Sequence, residues 1–188
     1  MVTTQSAKTA IFYTPYNGRQ IPIYDGTSFR NVNFTELTVA TTDTTKSPAA
    51  IGASKVNDWF VWDDAGTMRV GHGPDWTSDT TRSAGPALVM VNGILLNNAA
   101  STNGPGASRG TYVGTTRSNA SSQLDWILGA VGAGGTAAFH WVWNAYNRVT
   151  VMGLVTDNTD SWSNSAGTTR SANGSTAVSA VQKSTGNG

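Results

Sequence analysis

The residues best able to do chemistry are few and scattered. Gly106-Ala107-Ser108-Arg109-Gly110 matches the G-x-S-x-G pattern of a nucleophile elbow, which needs a strand before it and a helix after it. Here Asn103-Gly104-Pro105 precedes the match and the β-like Thr111-Tyr112-Val113 follows, so it reads as coincidence in a Gly- and Ser-rich loop. Of the two histidines, His140 alternates with Phe139 and Trp141 along a strand, and His72 sits in the loop Gly71-His72-Gly73-Pro74-Asp75. His72, Asp75 and Asp79 have the spacing to share a metal but carry no metal-site signature. Asp157-Asn158-Thr159-Asp160 offers oxygen ligands without the glycine and terminal glutamate of a calcium loop, and is better read as a turn. The eleven acids include a single glutamate, Glu36, and none is matched to a partner as glycoside hydrolysis requires. Gly132-Ala133-Gly134-Gly135 lacks the Lys and Ser/Thr that complete a phosphate loop. The expectation is a protein that is not an enzyme, with no catalytic residues, no cofactor and no metal.

Binding chemistry is better represented. Phe60-Val61-Trp62, a polar turn, Arg69, Trp76 and Thr80-Thr81-Arg82-Ser83-Ala84 are echoed by Trp141-Val142-Trp143, a polar turn, Arg148, Trp162 and Thr168-Thr169-Arg170-Ser171-Ala172. The spacing differs between the copies, so this is no strict repeat. Two equivalent hairpins in opposed sheets would produce the echo, with Trp in the core and Arg stems covering it. The functional alternative makes Trp76 with Asp79 and Arg82, and Trp162 with Asp160 and Arg170, a pair of glycan platforms. In each, an aromatic face would stack while the charged groups fix orientation. Burial at a subunit interface is a third reading.

Composition narrows the partners. Charged residues are 12% of the chain and the net charge is +1, with no basic run, which argues against nucleic acid. Thr, Ser and Asn make up about a third of the residues, yet 38% are hydrophobic and seven are Trp, enough to build a core. There is no cysteine and hence no disulfide or thiolate site. No segment has the apolar length of a membrane span, so membrane insertion is not expected. Met1-Val2-Thr3-Thr4-Gln5-Ser6 lacks the basic start and apolar stretch of a signal peptide.

The elements that must position these residues read as strands. Residues 11–16, 21–24 and 29–39 open the series, with Asn17-Gly18 and Asp25-Gly26 supplying the positive φ of hairpin turns. Val56 to Trp62 turns through Asp63-Asp64-Ala65-Gly66 and returns. Residues 87–91 and 94–96 flank Asn92-Gly93, and residues 111–116 and Leu124 to Gly129 follow. Ala138 to Trp143 and Arg148 to Val155 read as a further hairpin about Asn144-Ala145-Tyr146-Asn147. Short strands split by Gly/Asn turns predict an all-β antiparallel sandwich or jelly roll with long Gly/Ser/Asn loops. Residues 1–10 read as a polar lead-in, 11–174 as the β domain and 175–188 as a flexible tail or linker. Trp59, Trp62, Trp126, Trp141 and Trp143 are expected to be mostly buried, in the core or at a subunit contact.

One run carries a resemblance: Tyr13-Thr14-Pro15-Tyr16, a turn, Ile21-Pro22-Ile23-Tyr24, a turn, then Phe29. It is similar to the opening segment of domains in tailed-bacteriophage virion proteins of the tail-fibre and head-fibre kind. Val61-Trp62-Asp63-Asp64-Ala65-Gly66-Thr67, Gly73-Pro74-Asp75-Trp76-Thr77-Ser78 and Trp143-Asn144-Ala145-Tyr146-Asn147-Arg148-Val149 extend the likeness over about residues 12–172. The resemblance implies a virion surface protein (fibre, spike or capsid decoration), assembled in the host cytoplasm. It would contact other virion proteins and, on this reading, host surface glycans. A virion-borne polysaccharide-degrading enzyme and a free carbohydrate-binding module stand as alternatives. Sparse charge on the expected strands leaves edges unblunted, which calls for self-association; the resemblance makes that a homotrimer.

Overall fold

A computed structural model describes residues 3–83, 87–128, 138–146, 151–153 and 182–184. The described residues contain no helix; every sheet is antiparallel. The strands are β1 (Gln5–Lys8), β2 (Ala10–Tyr13), β3 (Gln20–Tyr24), β4 (Phe29–Asn33), β5 (Leu37–Ala40), β6 (Val56–Asp64), β7 (Thr67–His72) and β8 (Leu88–Val91). They continue as β9 (Ile94–Asn97), β10 (Thr111–Arg117), β11 (Leu124–Ile127), β12 (Phe139–His140), β13 (Val142–Asn144), β14 (Val151–Gly153) and β15 (Gln182–Ser184). A six-stranded sheet runs β7-β6-β10-β9-β8, with β13 on the free length of β10. β1-β11-β12 form a smaller sheet, and β2–β5, β3–β4 and β14–β15 pair separately.

The core forms where β6 is apolar on both faces. Trp59 and Val61 point to one side, where Ile21 and Ile23 of β3, Val39 of β5 and Phe34 pack on them with Val70, Val113 and Leu124. The β2–β5 and β3–β4 pairs therefore lie over the large sheet, a layering consistent with a β-sandwich. Phe60 and Trp62 point to the other side and are also buried, Phe60 meeting Tyr112 edge-on with ring centroids 6.2 Å apart. Covering both faces explains why burial in β6 is continuous from Val56 to Trp62 rather than alternating.

Local turn chemistry fixes the hairpins. Ala65 and Gly66 (φ 50° and 92°) join β6 to β7, and Asn92 and Gly93 (φ 46° and 84°) join β8 to β9, the left-handed pairs that two-residue turns require. Asp25 closes the β3–β4 hairpin by accepting from the amides of Thr27 and Ser28. At Gly71, any Cβ would collide with the carbonyl of Lys46, so glycine lets the 43–47 loop lie against β7.

Several expectations need correction. Asn17-Gly18 is not a hairpin turn: β2 pairs with β5 across the nested β3–β4 hairpin, and β3 pairs only with β4. The expected strand 29–39 is split at Phe34-Thr35-Glu36, because its two halves serve different partners. The hairpin about Asn144 is replaced by two short strands, β12 on β11 and β13 on β10, while β14 pairs with β15. The two Val-Trp strands of the echo, β6 and β13, flank β10 within one sheet rather than lying in opposed sheets. Within the polar lead-in, Gln5–Lys8 forms a strand, fastened by the Ala7 amide to Asp125 Oδ1 at 2.7 Å. Trp59 and Trp62 are buried in the core as expected, and Trp126, Trp141 and Trp143 are half-buried within the single subunit.

Candidate functional site

Two aromatic-and-polar clusters stand out. The first is centred on Asp58, which projects from the buried strand β6 opposite Thr115 of β10 and is 1% exposed. A carboxylate so deep in a sheet must be fully partnered. The segment after β7 folds back along β6 to supply those partners, fixed by hydrogen bonds from the Gly73 amide to the Asp58 carbonyl (2.9 Å) and the Trp76 amide to the Val56 carbonyl (2.8 Å). Arg82 Nε then donates to Asp58 Oδ2 at 2.7 Å and Trp76 Nε1 to the same oxygen at 3.2 Å. Thr115 Oγ1 donates to Asp58 Oδ1 at 2.7 Å. With its one proton committed, the Thr115 hydroxyl accepts from Tyr112 at 2.6 Å, so the chain runs Tyr112 to Thr115 to Asp58. Burial pushes the Tyr112 hydroxyl up to about 12, which keeps it a donor. The Arg82 guanidinium lies over the Trp76 ring, 4.3 Å from its centroid.

The structure thus joins Trp76 to Arg82, and one face of the indole is already covered. Asp79 goes elsewhere: its two oxygens take the fork of Arg117 at 3.0 and 3.1 Å, and that guanidinium sits 4.9 Å from the Trp141 ring centroid. Asp160, Trp162 and Arg170 lie outside the described residues, as do Asp157 and the 132–135 loop. Asp58, the hub of the cluster, was missed from the sequence. Its only signal was an acid inside the largely apolar run Val56 to Trp62, where Asn57 is the one other polar residue, and a buried acid demands a cation from another segment.

The remaining chemical candidates are drawn into the fold. Ser108 has a left-handed backbone (φ 57°), but its segment leads straight into β10 with no helix. That loop is organised by Asn97, whose side chain donates to the carbonyls of Ala99 and Gly106 and accepts from the Gly110 amide. His72 is buried and its Nδ1 donates to the Gly73 carbonyl at 2.7 Å. Asp75 accepts from Asn57 Nδ2 and the Gly52 amide, so His72, Asp75 and Asp79 are aimed at three different partners. Among the described residues no set of three or more His, Asp or Glu is placed to hold a metal.

The second cluster is open. A cavity of about 230 Å³ lies where the Tyr13–Ile21 segment meets the 144–146 turn. Tyr13 and Phe34 form its floor, stacked with centroids 5.2 Å apart and planes inclined by 19°. Tyr16, 76% exposed, and Tyr146, 49% exposed, stand on its rim. Asn17, Gln20 and Asn144 bring amide groups to it. The 144–146 turn is held in place by the Ala145 amide on the Val113 carbonyl and the Tyr146 amide on Asn144 Oδ1. Burial, then the neighbouring Tyr146, raises the Tyr13 hydroxyl to about 12, and burial raises that of Tyr146, so both are neutral donors.

No family model, no curated protein and no solved structure matches the chain.

Proposed function

We propose that the chain is a non-catalytic structural protein of a bacteriophage virion, a β-sandwich subunit of a fibre, spike or capsid decoration on the particle surface. The observation that supports this best is an uncovered sheet edge. Among the described residues the outer edge of β8 is unpaired, the strand Leu88-Val89-Met90-Val91 carries no charge, and Met90 is 65% exposed. A bare apolar edge of this kind pairs with something in a stable assembly, since charge, proline or bulges would otherwise blunt it. A symmetric contact with further copies supplies that cover for every subunit, and the fibre resemblance favours three. The setting rests on the Tyr13–Phe29 motif and its companions. No carboxylate, histidine, lysine or arginine is among the described residues that line the open cavity, which supports a binding or structural role over hydrolysis. Mass spectrometry and antibody labelling of purified particles test the proposal: the chain is expected in the particle in multiple copies, and its absence overturns the reading.

A further inference from the structure

We propose that the Tyr13–Tyr146 cavity is a binding site for a neutral oligosaccharide, taking one pyranose ring between the rim tyrosines. Its size comes first. At about 230 Å³ it falls below the roughly 300–1,000 Å³ of sites for drug-sized ligands, which suits a single ring with its neighbours left in solvent. Its lining comes second. No Asp, Glu, Lys or Arg is among the described residues that line it, so an anionic or cationic ligand would find no counter-charge, while a neutral one has nothing to repel it.

The polar groups present are those that pair with hydroxyls. The side chains of Asn17 and Gln20 make no hydrogen bond to any described residue, which leaves an amide donor and acceptor on each for a ligand. Sugar hydroxyls both donate and accept, and an amide complements both roles. The tyrosine rings provide flat apolar faces for the C–H face of a pyranose, and their hydroxyls are available at the rim. The floor is rigid, because Phe34 is buried in the core and its amide is tied to the Arg19 carbonyl at 2.9 Å. Gly18, which also lines the cavity, holds a φ of 140°, a backbone conformation that residues with side chains rarely adopt.

The contrast with the Asp58 cluster is instructive. There the aromatic face is covered by Arg82 and every oxygen of the carboxylate has a protein donor. Here the rings of Tyr16 and Tyr146 are exposed, and the side-chain amides of Asn17 and Gln20 have no hydrogen-bond partner among the described residues. The sugar's source, a host cell surface, rests on the particle-surface reading above; the cavity's chemistry does not.

The test is a printed array of neutral oligosaccharides, followed by titration of the best hit into the isotope-labelled full chain by NMR, with a decaproline peptide as a second probe. Wild type is expected to bind at least one neutral glycan with a dissociation constant in the micromolar to millimolar range. Shifts should centre on Tyr13, Asn17, Gln20 and Tyr146. Tyr16→Ala and Tyr146→Ala are each expected to weaken binding about tenfold, the loss of one stacking face, while melting like wild type. Trp76→Phe is expected to leave affinity unchanged. No neutral glycan bound anywhere on the array, binding untouched by both tyrosine variants, or decaproline occupying the cavity in place of any sugar each overturns the proposal. Particle composition is read separately by mass spectrometry, so failure here and failure of the virion reading are told apart.

Discussion

The Asp58 cluster and the Tyr13–Tyr146 cavity are built from the same kinds of residue and behave oppositely. Each combines aromatic rings with hydrogen-bonding side chains, and each draws on segments far apart in the chain. The difference is where the polar partners come from. Around Asp58 the chain supplies all of them: Arg82 and Trp76 from the loop after β7, and Thr115 from β10. Around the cavity the amides of Asn17 and Gln20 are left to solvent, and Tyr16 is 76% exposed. A closed cluster holds the fold together, whereas an open one is available to a ligand. Aromatic and polar composition alone does not tell the two apart.

Breaking the closed cluster should have the largest effect. Asp58→Ala removes the acceptor of three donors from a buried site and is expected to destabilise by about 3–5 kcal/mol in urea denaturation. Arg82→Ala strands the carboxylate instead. Its cost should fall toward the lower end of that range of about 3–5 kcal/mol, because the Arg82 side chain is 34% exposed and water can replace part of it. Trp59→Ala, which opens the other face of β6 and loses the Nε1 bond to Thr116, is expected to cost a similar amount, about 3–5 kcal/mol.

Arg117 and Asp79 offer an intermediate case with the same chemistry near the surface. The Asp79 side chain is 58% exposed, so Asp79→Ala should change stability by less than about 1 kcal/mol. High salt should shrink that difference further and leave the Arg82→Ala effect nearly intact. An Asp79→Ala cost equal to that of Asp58→Ala would mean burial is not what separates the two pairs.

Acid should act on the buried groups in one direction. Burial lowers His72, against the Gly73 carbonyl that favours its charged form. The folded protein therefore binds that proton less readily than the unfolded chain. Its stabilising contribution is present above the ordinary histidine value of about 6.5 and is lost as pH falls below it. Burial alone would raise Asp43, but the Lys46 ammonium and the Lys46 and Thr45 amides outweigh it and bring the carboxyl to about 2. That contribution is present above the unfolded value of about 3.9 and is lost as pH falls through 2. Unfolding midpoints measured from pH 8 down to acid should fall in these two windows, and His72→Gln should remove the upper one.

Much of the fold was legible because turn chemistry is local. Asp25-Gly26, Ala65-Gly66 and Asn92-Gly93 each mark a hairpin where the backbone needs them. Pairings between distant segments left no such mark: β2 finds β5, and β13 joins β10, through packing that single-strand patterns do not encode. The sites follow the same division. Trp76 and Arg82 were legible as a pair, but Asp58 was hidden because strand β6 is buried on both faces and gives no alternation to expose an inward acid. The open cavity was invisible because Tyr13, Phe34 and Tyr146 converge only after folding.

The smallest expected effect is on the open side: Tyr16→Ala should change stability by no more than about 0.5 kcal/mol, as for surface positions in general. The most direct measurement is therefore one urea-denaturation series on wild type, Arg82→Ala and Tyr16→Ala. The Arg82→Ala midpoint should fall sharply while that of Tyr16→Ala overlays wild type. A Tyr16→Ala midpoint that falls as far as that of Arg82→Ala would contradict the division between a closed structural cluster and an open surface.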